Sequence, residues 1–185
     1  QTGFGRVGNN FWGFEEHGII PDIVTLGKPM GNGHPIAAVI TTKEIANVFN
    51  NGMEYFNSYG GNPVSCAVGN VVLEVIENEN LQTHSYNVGK YLLELLQKIQ
   101  KLYTDQISEV RGRGLFLGID LINHDNNLPN EKLATKLINH MRDNGILLST
   151  DGPHHNVIKI KPPLPFNKED CDHLADELNH FFQNI

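Results

Sequence analysis

Lys28 is the residue of this 185-residue chain whose type and setting most directly define a chemistry. It follows the apolar run Ile23-Val24-Thr25-Leu26 and sits in the turn Gly27-Lys28-Pro29-Met30-Gly31-Asn32-Gly33-His34-Pro35, where glycines leave little side-chain bulk around it. Apolar surroundings disfavour an ammonium more than a neutral amine, so a lysine beside Leu26 and Met30 is expected to lose its proton more readily than one in water. A neutral amine at the end of a buried strand can add to a carbonyl and form a Schiff base. Taken by itself, a lysine in a strand-ending loop is more readily a solvated charge, and the choice rests on what accompanies it.

Three further groups could do chemistry. Ser58 stands in Phe56-Asn57-Ser58-Tyr59-Gly60-Gly61, ahead of Asn62-Pro63. Its hydroxyl and the backbone N–H groups of Gly60 and Gly61, near a helix start, suit an anion; the alternative is a surface serine turn. Arg111, in Val110-Arg111-Gly112-Arg113-Gly114, offers a rigid donor fork that matches a carboxylate, whereas Arg113 reads as solvated or structural. Lys159 and Lys161, two apart on a strand, share one face beside Asp151-Gly152-Pro153-His154-His155. They would assist a phosphorylated substrate or, the preferred reading, mark the wet side of a sheet. Gly3-Phe4-Gly5-Arg6-Val7-Gly8 spells G-x-G-x-x-G, but Asn9-Asn10-Phe11-Trp12-Gly13 is a poor helix start, so a dinucleotide-binding turn is rejected.

Bulk properties exclude several classes. A net charge of -7 with no run of lysine and arginine argues against nucleic acid and against an acidic membrane surface. No apolar run reaches bilayer length, and the first residues lack the basic-then-apolar order of a signal peptide. Cys66 and Cys171 form neither a CxxC nor a His/Cys metal spacing. The expectation is a soluble intracellular protein, cytoplasmic or mitochondrial, in a reduced compartment and with no metal. The sequence begins without methionine in a glycine-rich turn that needs a strand before it, so an N-terminal portion is expected upstream.

Periodicity supplies the elements that must position these residues. Residues 22–26 read as a short buried strand and residues 36–40 as a second. Thr42 caps a helix through Ile45, Val48 and Phe49. Pro63 opens a helix that is apolar on most sides and is expected to be buried. From Leu81 to about Leu102, Val88, Leu92, Leu95, Leu96 and Ile99 recur at helical spacing between charges. Residues 107–110 and 115–121 are strand-like runs divided by Gly112 and Gly114. A helix through Leu133, Leu137 and Met141 ends at Asn144-Gly145, strands follow at 146–149 and 157–161, and Asn167 caps a terminal helix.

In that order, four segments resemble the class III, or ornithine-type, aminotransferases, whose pyridoxal phosphate (PLP) lysine lies after a strand and before a glycine-rich turn. They are the Lys28 turn, Gln1-Thr2-Gly3-Phe4-Gly5-Arg6, Tyr59-Gly60-Gly61-Asn62-Pro63, and Val110-Arg111-Gly112-Arg113-Gly114-Leu115. The resemblance implies an α/β protein of PLP-dependent transferase fold type I. Residues 1–79 would be the C-terminal part of the PLP-binding large domain, and residues 80–185 a linking helix and a small C-terminal α/β domain. It implies Lys28 as the catalytic residue and cofactor anchor, and Gln1 as a contact to the cofactor's phenolic oxygen. Ser58 would reach the cofactor phosphate of a neighbouring subunit, in place of the family's usual threonine. Arg111 would meet a substrate carboxylate or a glutamate gating that site. The partners implied are a small-molecule primary amine and a second subunit, in a homodimer or larger assembly.

Met30-Gly31-Asn32-Gly33-His34-Pro35 and Leu148-Ser149-Thr150-Asp151-Gly152-Pro153 look like the subgroup containing ethanolamine-phosphate and phosphohydroxylysine phospho-lyases. Both chemistries begin by loss of a proton beside the amine while the cofactor ring holds the electrons; reprotonation gives transamination, and loss of a neighbouring phosphate gives elimination. Transamination is the leading expectation and phosphate elimination its alternative. A third reading, a non-catalytic remnant serving subunit association, follows from the lack of the pyridine-facing aspartate in these residues.

Overall fold

Alternating and helical apolar patterns resolve into two units. The structure, a computed structural model, describes residues 2–185, so the contact expected of Gln1 lies outside the described residues. One unit takes the residues up to Gly5 together with Asn10–Leu81; the other takes Arg6–Asn9 and Gln82–Ile185.

In the first unit, β1 (Ile23–Leu26) and β2 (Ala38–Thr41) form an antiparallel pair with Ile23 opposite Thr41 and Leu26 opposite Ala38. A 3-10 turn, Lys28–Gly31, lies between them. Helix α1 (Lys43–Phe49) starts at Thr42, whose side chain accepts from the Ile45 N–H. Helix α2 (Pro63–Asn78) starts at Asn62, whose side chain accepts from the N–H groups of Val64 and Ser65, with Pro63 as first residue. Phe4, Phe11, Trp12 and Phe14 form a chain of edge-on and stacked rings.

Neither β1 nor α2 is buried as their composition predicts. Ile23 is 51% exposed and Val64 64%, while Ile76 is the buried apolar side chain of α2. Two strands of four residues cannot cover their own faces, and within these residues nothing lies on the outer sides of α2.

The second unit has a core of its own. Helix α3 (Leu81–Leu102) opens it, followed by β3 (Ile107–Arg113), β4 (Phe116–Leu121), α4 (Glu131–Asp143), β5 (Ser149–Asp151), β6 (Val157–Ile160) and α5 (Lys168–Gln183). The strands make an antiparallel sheet in the order β3-β4-β6-β5. Along β4 the alternation is strict: Leu117, Ile119 and Leu121 are buried, while Phe116, Gly118 and Asp120 turn the other way. The buried set joins Leu92 and Leu96 of α3, Leu137 and Met141 of α4, and Leu174 and Leu178 of α5 in one cluster, each large side chain contributing about 1.5–3 kcal/mol of burial. The face carrying Asp120, Arg111 and Lys159 is the one turned away from that cluster.

Two strand boundaries differ from the expected ones. β3 runs on through Gly112, at φ 146°, to Arg113 rather than stopping before the glycines. The apolar run 146–149 pairs only from Ser149, which lies opposite Lys159. Gly145 adopts φ 82° and the Ile146 N–H bonds back to the Met141 carbonyl at 2.8 Å. The chain therefore wraps the end of α4 before it reaches β6. No helix opens at Gly8, in keeping with rejection of the dinucleotide motif.

Candidate active site

Lys28 occupies an unusual backbone position. Gly27 is fully extended at φ -171°, Lys28 is left-handed at φ 47°, and Pro29 follows at once. A non-glycine residue in that region costs about 1–3 kcal/mol and persists only where its surroundings over-determine it; a following proline restricts it further. The turn closes with Asn32 at φ 45°, its N–H bonding to the Pro29 carbonyl at 3.1 Å, and with the His34 N–H bonding to the Gly31 carbonyl at 2.9 Å. The Lys28 residue is exposed rather than enclosed by Leu26 and Met30. Gly27 and Pro29, on either side of it, help to wall a cavity of about 260 Å³ with Thr2, Phe4, Val24 and Leu26.

The same turn packs against α2. A Cβ on Gly31 would lie 2.6 Å from Ile36 Cγ2, and one on Gly69 of α2 would lie 3.1 Å from Ile36 Cδ1, so two glycines admit the Ile36 side chain as a wedge. His34 Nε2 and Ser65 Oγ share a hydrogen bond of 2.8 Å, with both residues half-buried.

Ser58 lies exposed in the irregular stretch ahead of α2. Asn57 organises this stretch: its Oδ1 accepts from the N–H groups of Tyr59, at 3.1 Å, and Gly60, at 3.0 Å. The Gly60 donor expected to face an anion is thus engaged by Asn57. Asn57 and Asn62 were legible as residues that hydrogen-bond the backbone two and three positions on, a signal that the glycines obscured.

In the second unit, Arg111 Nη1 donates to Asp120 Oδ2 at 2.7 Å and to Glu109 Oε2 at 2.6 Å. The bond to Asp120, foremost, raises the guanidinium pKa above its usual value, and Asp120 Oδ1 is buried without a partner. Arg111 remains about half exposed, so these pairs orient it more than they stabilise the fold. Lys159 Nζ donates to Asp151 Oδ2 at 2.9 Å, and this bond is the main cause holding the Asp151 carboxyl below the usual aspartate range. Arg111, Arg113, Lys159 and Asp151 line one cavity of about 450 Å³ on the helix-free face of the sheet. Lys161 lies one residue past the end of β6.

Arg6 has a role its composition did not announce. Its Nη1 donates to the carbonyls of Leu115, at 3.1 Å, and Pro162, while its own carbonyl accepts from Ser85 Oγ and from the Leu115 N–H. Burial lowers its pKa from the ordinary arginine value. Cys171 is buried, which pushes its thiol up to about 12, and Cys66 is exposed. Among the described residues no cluster of His, Cys, Asp or Glu could hold a metal ion, and no helix is long and apolar enough to cross a membrane.

Residues 1–182 match the family described as Aminotransferase class-III. Over 175 residues the chain is 50% identical to an "Alanine--glyoxylate aminotransferase 2-like" protein of Drosophila melanogaster, covering 93% of this chain and 35% of that protein. Over 172 residues it is 50% identical to "Ethanolamine-phosphate phospho-lyase homolog 1" of Caenorhabditis elegans, covering 91% and 37%. Among solved structures it is similar to a phospholyase from Arthrobacter in complex with phosphoethanolamine, with TM-score 0.96 and 43% identity over the whole of this chain and 44% of that one. It is also similar to acetylornithine aminotransferase from Elizabethkingia anophelis, with TM-score 0.86 and 28% identity over the whole of this chain and 44% of that one. The chain thus spans 35% and 37% of the length of the two curated relatives.

Proposed function

The chain belongs to the class III aminotransferase family, and from that premise we propose that it supplies the lysine-bearing part of a PLP-dependent enzyme acting on a small-molecule primary amine. The observation that carries this is Lys28 itself: a lysine held in a left-handed backbone between an extended glycine and a proline that both wall a cavity. Strain of this kind concentrates at functional residues.

The residues present fit the cofactor. Lys28 supplies an amine between Gly27 and Pro29, which wall a cavity together with Phe4, Val24 and Leu26, and α2, at 16 residues, directs its positive end toward the stretch that carries Ser58. When bound, PLP serves as an electron sink for a carbanion beside the substrate nitrogen. Lys28 Nζ would hold the cofactor and would be the group that moves the proton beside the substrate nitrogen. Ser58 would donate its hydroxyl to the cofactor phosphate of a partner subunit in a homodimer or larger assembly, Gln1 would donate to the phenolic oxygen, and Arg111 would receive the substrate. Residues 1–79 are the C-terminal part of the cofactor-binding domain and residues 80–185 the linking helix and small domain, in a soluble enzyme of the cytoplasm or mitochondrion.

The test is reduction with borohydride after incubation of the full-length polypeptide with PLP. A stable adduct on Lys28 by peptide mass spectrometry is expected; an unmodified Lys28 would falsify the proposal.

A second reading, phosphate elimination from phosphoethanolamine or a related amine, is favoured by the state of Arg111. Its Nη1 is already engaged by Asp120 and Glu109, so the carboxylate of a keto-acid acceptor must share the guanidinium with two carboxylates of the same sheet. A lyase needs no such acceptor. Release of inorganic phosphate from phosphoethanolamine with no keto acid present would establish this reading, and dependence of turnover on a keto acid would exclude it.

A further inference from the structure

We infer that His34 is a positioning residue: its hydrogen bond to Ser65 fixes the Lys28 turn on the first turn of α2, and so sets the distance of that turn from the start of the helix. This inference rests on the proposed PLP chemistry. Five observations carry it.

The Lys28 turn holds two non-glycine residues, Lys28 and Asn32, at positive φ. Its conformation therefore has to be imposed by what it touches. The apolar contribution is the Ile36 wedge between Gly31 and Gly69, which seats the turn against α2 by close packing. The directional contact is the 2.8 Å bond between His34 Nε2 and Ser65 Oγ. Ser65 is a fixed mooring, because it is the third residue of α2 and its N–H is held by Asn62 Oδ1 at 3.1 Å. His34 is tied to the turn from the other side through its N–H to the Gly31 carbonyl. This side-chain bond between the Lys28 turn and α2 is half-buried and so strengthened relative to one in water. Either imidazole tautomer sustains it, since a hydroxyl both donates and accepts.

The experiment compares His34→Ala, Ser65→Ala, the double variant and His34→Gln in the full-length polypeptide. Three readouts are taken: the PLP dissociation constant by absorbance, borohydride labelling at Lys28, and amide exchange across residues 30–34 in the cofactor-free protein. Each single alanine variant is expected to weaken PLP binding about five-fold, the scale of one lost hydrogen bond. The double variant is expected to be no worse than either single one, and His34→Gln, which keeps a side-chain N–H donor, to recover most of the loss. Exchange at the turn should rise in His34→Ala while the melting temperature stays put. Unchanged PLP affinity in His34→Ala, additive losses in the double variant, or a general fall in melting temperature with exchange rising throughout would each overturn the inference. A parent protein that takes no label at Lys28 removes the PLP reading and this inference with it, whereas a labelled parent beside an unaffected His34→Ala removes the inference alone.

Discussion

At the scale of single residues, strain and pairing decide more than residue type. Lys28 at φ 47° ahead of Pro29 stores conformational energy that glycine would not. Lys28→Gly is therefore expected to stabilise the cofactor-free protein by about 1 kcal/mol in a thermal melt, even as it abolishes labelling by PLP and borohydride; a destabilised variant would mean that Lys28 is unstrained. Asp151 offers a second test. Its carboxyl is held low, first by the bond from Lys159 and then by the Gly152 N–H. A depressed folded pKa contributes stability that is present above the unfolded value of about 3.9 and is lost as pH falls through the folded one. An NMR titration of the Asp151 carboxyl should place its midpoint below the ordinary aspartate range, and Lys159→Met should return it upward. The types of Lys28, Ser58 and Arg111 were readable in sequence, because donor fork, hydroxyl and amine are properties of composition. The positive φ of Lys28, the engagement of Gly60 by Asn57 and the capture of Arg111 by Asp120 were not, since each depends on neighbours brought close only by folding.

At the scale of elements, the second unit is held by a three-layer approach that only glycine permits. A Cβ on Gly89 of α3 would lie 2.1 Å from the Gly114 carbonyl oxygen, and one on Gly114 would lie 2.2 Å from the Arg6 carbonyl oxygen. Ser85, one turn before Gly89, bonds the same Arg6 carbonyl and accepts from the Leu115 N–H at 3.2 Å. Gly89→Ala would gain helix propensity of up to about 1 kcal/mol, yet the atom it meets is backbone and cannot rotate away. A net loss of about 1–3 kcal/mol in denaturant unfolding is expected, and a neutral substitution would show that α3 stands further from the β3–β4 turn. Periodicity located α3, α4 and α5 because each lays a continuous apolar stripe on one sheet. It misplaced the strand at 146–149 because Gly145 sends the chain around the end of α4, a tertiary demand with no local signature. It overestimated burial in β1 and α2 for a related cause: an apolar pattern states what an element can cover, not whether the cover lies in the same residues.

At the scale of the whole chain, stability is unevenly shared. The cluster of fully buried side chains, including Leu92, Leu96, Ile119, Leu137, Ile158 and Leu178, belongs to the second unit. The large apolar side chains left open, such as Val48, Phe49, Met53, Tyr55, Phe56 and Val64, belong mostly to the first. The Arthrobacter phospholyase is longer: this chain covers 44% of it while superposing on it at a TM-score of 0.96. The open apolar surface of the first unit is accordingly the surface that the remaining polypeptide and a partner subunit would cover in the proposed enzyme. Two states of the protein then differ in a measurable way. In the 185-residue chain alone, the stretch from Asn51 to Gly61 is exposed throughout and carries no helix or strand, so its backbone opens at little cost. A protease of broad specificity should cut there first, degrade α2 next, and leave a resistant piece beginning near Leu81, where the buried positions of α3 begin, with a short piece carrying Arg6–Asn9 still bound to it. In the full-length polypeptide loaded with PLP, the same stretch should resist cleavage, because local opening would then expose covered apolar surface and release cofactor. Equal rates of cutting at residues 51–61 in both proteins would mean that neither the added polypeptide nor the cofactor covers this stretch, and would remove the argument for Ser58 acting across a subunit interface.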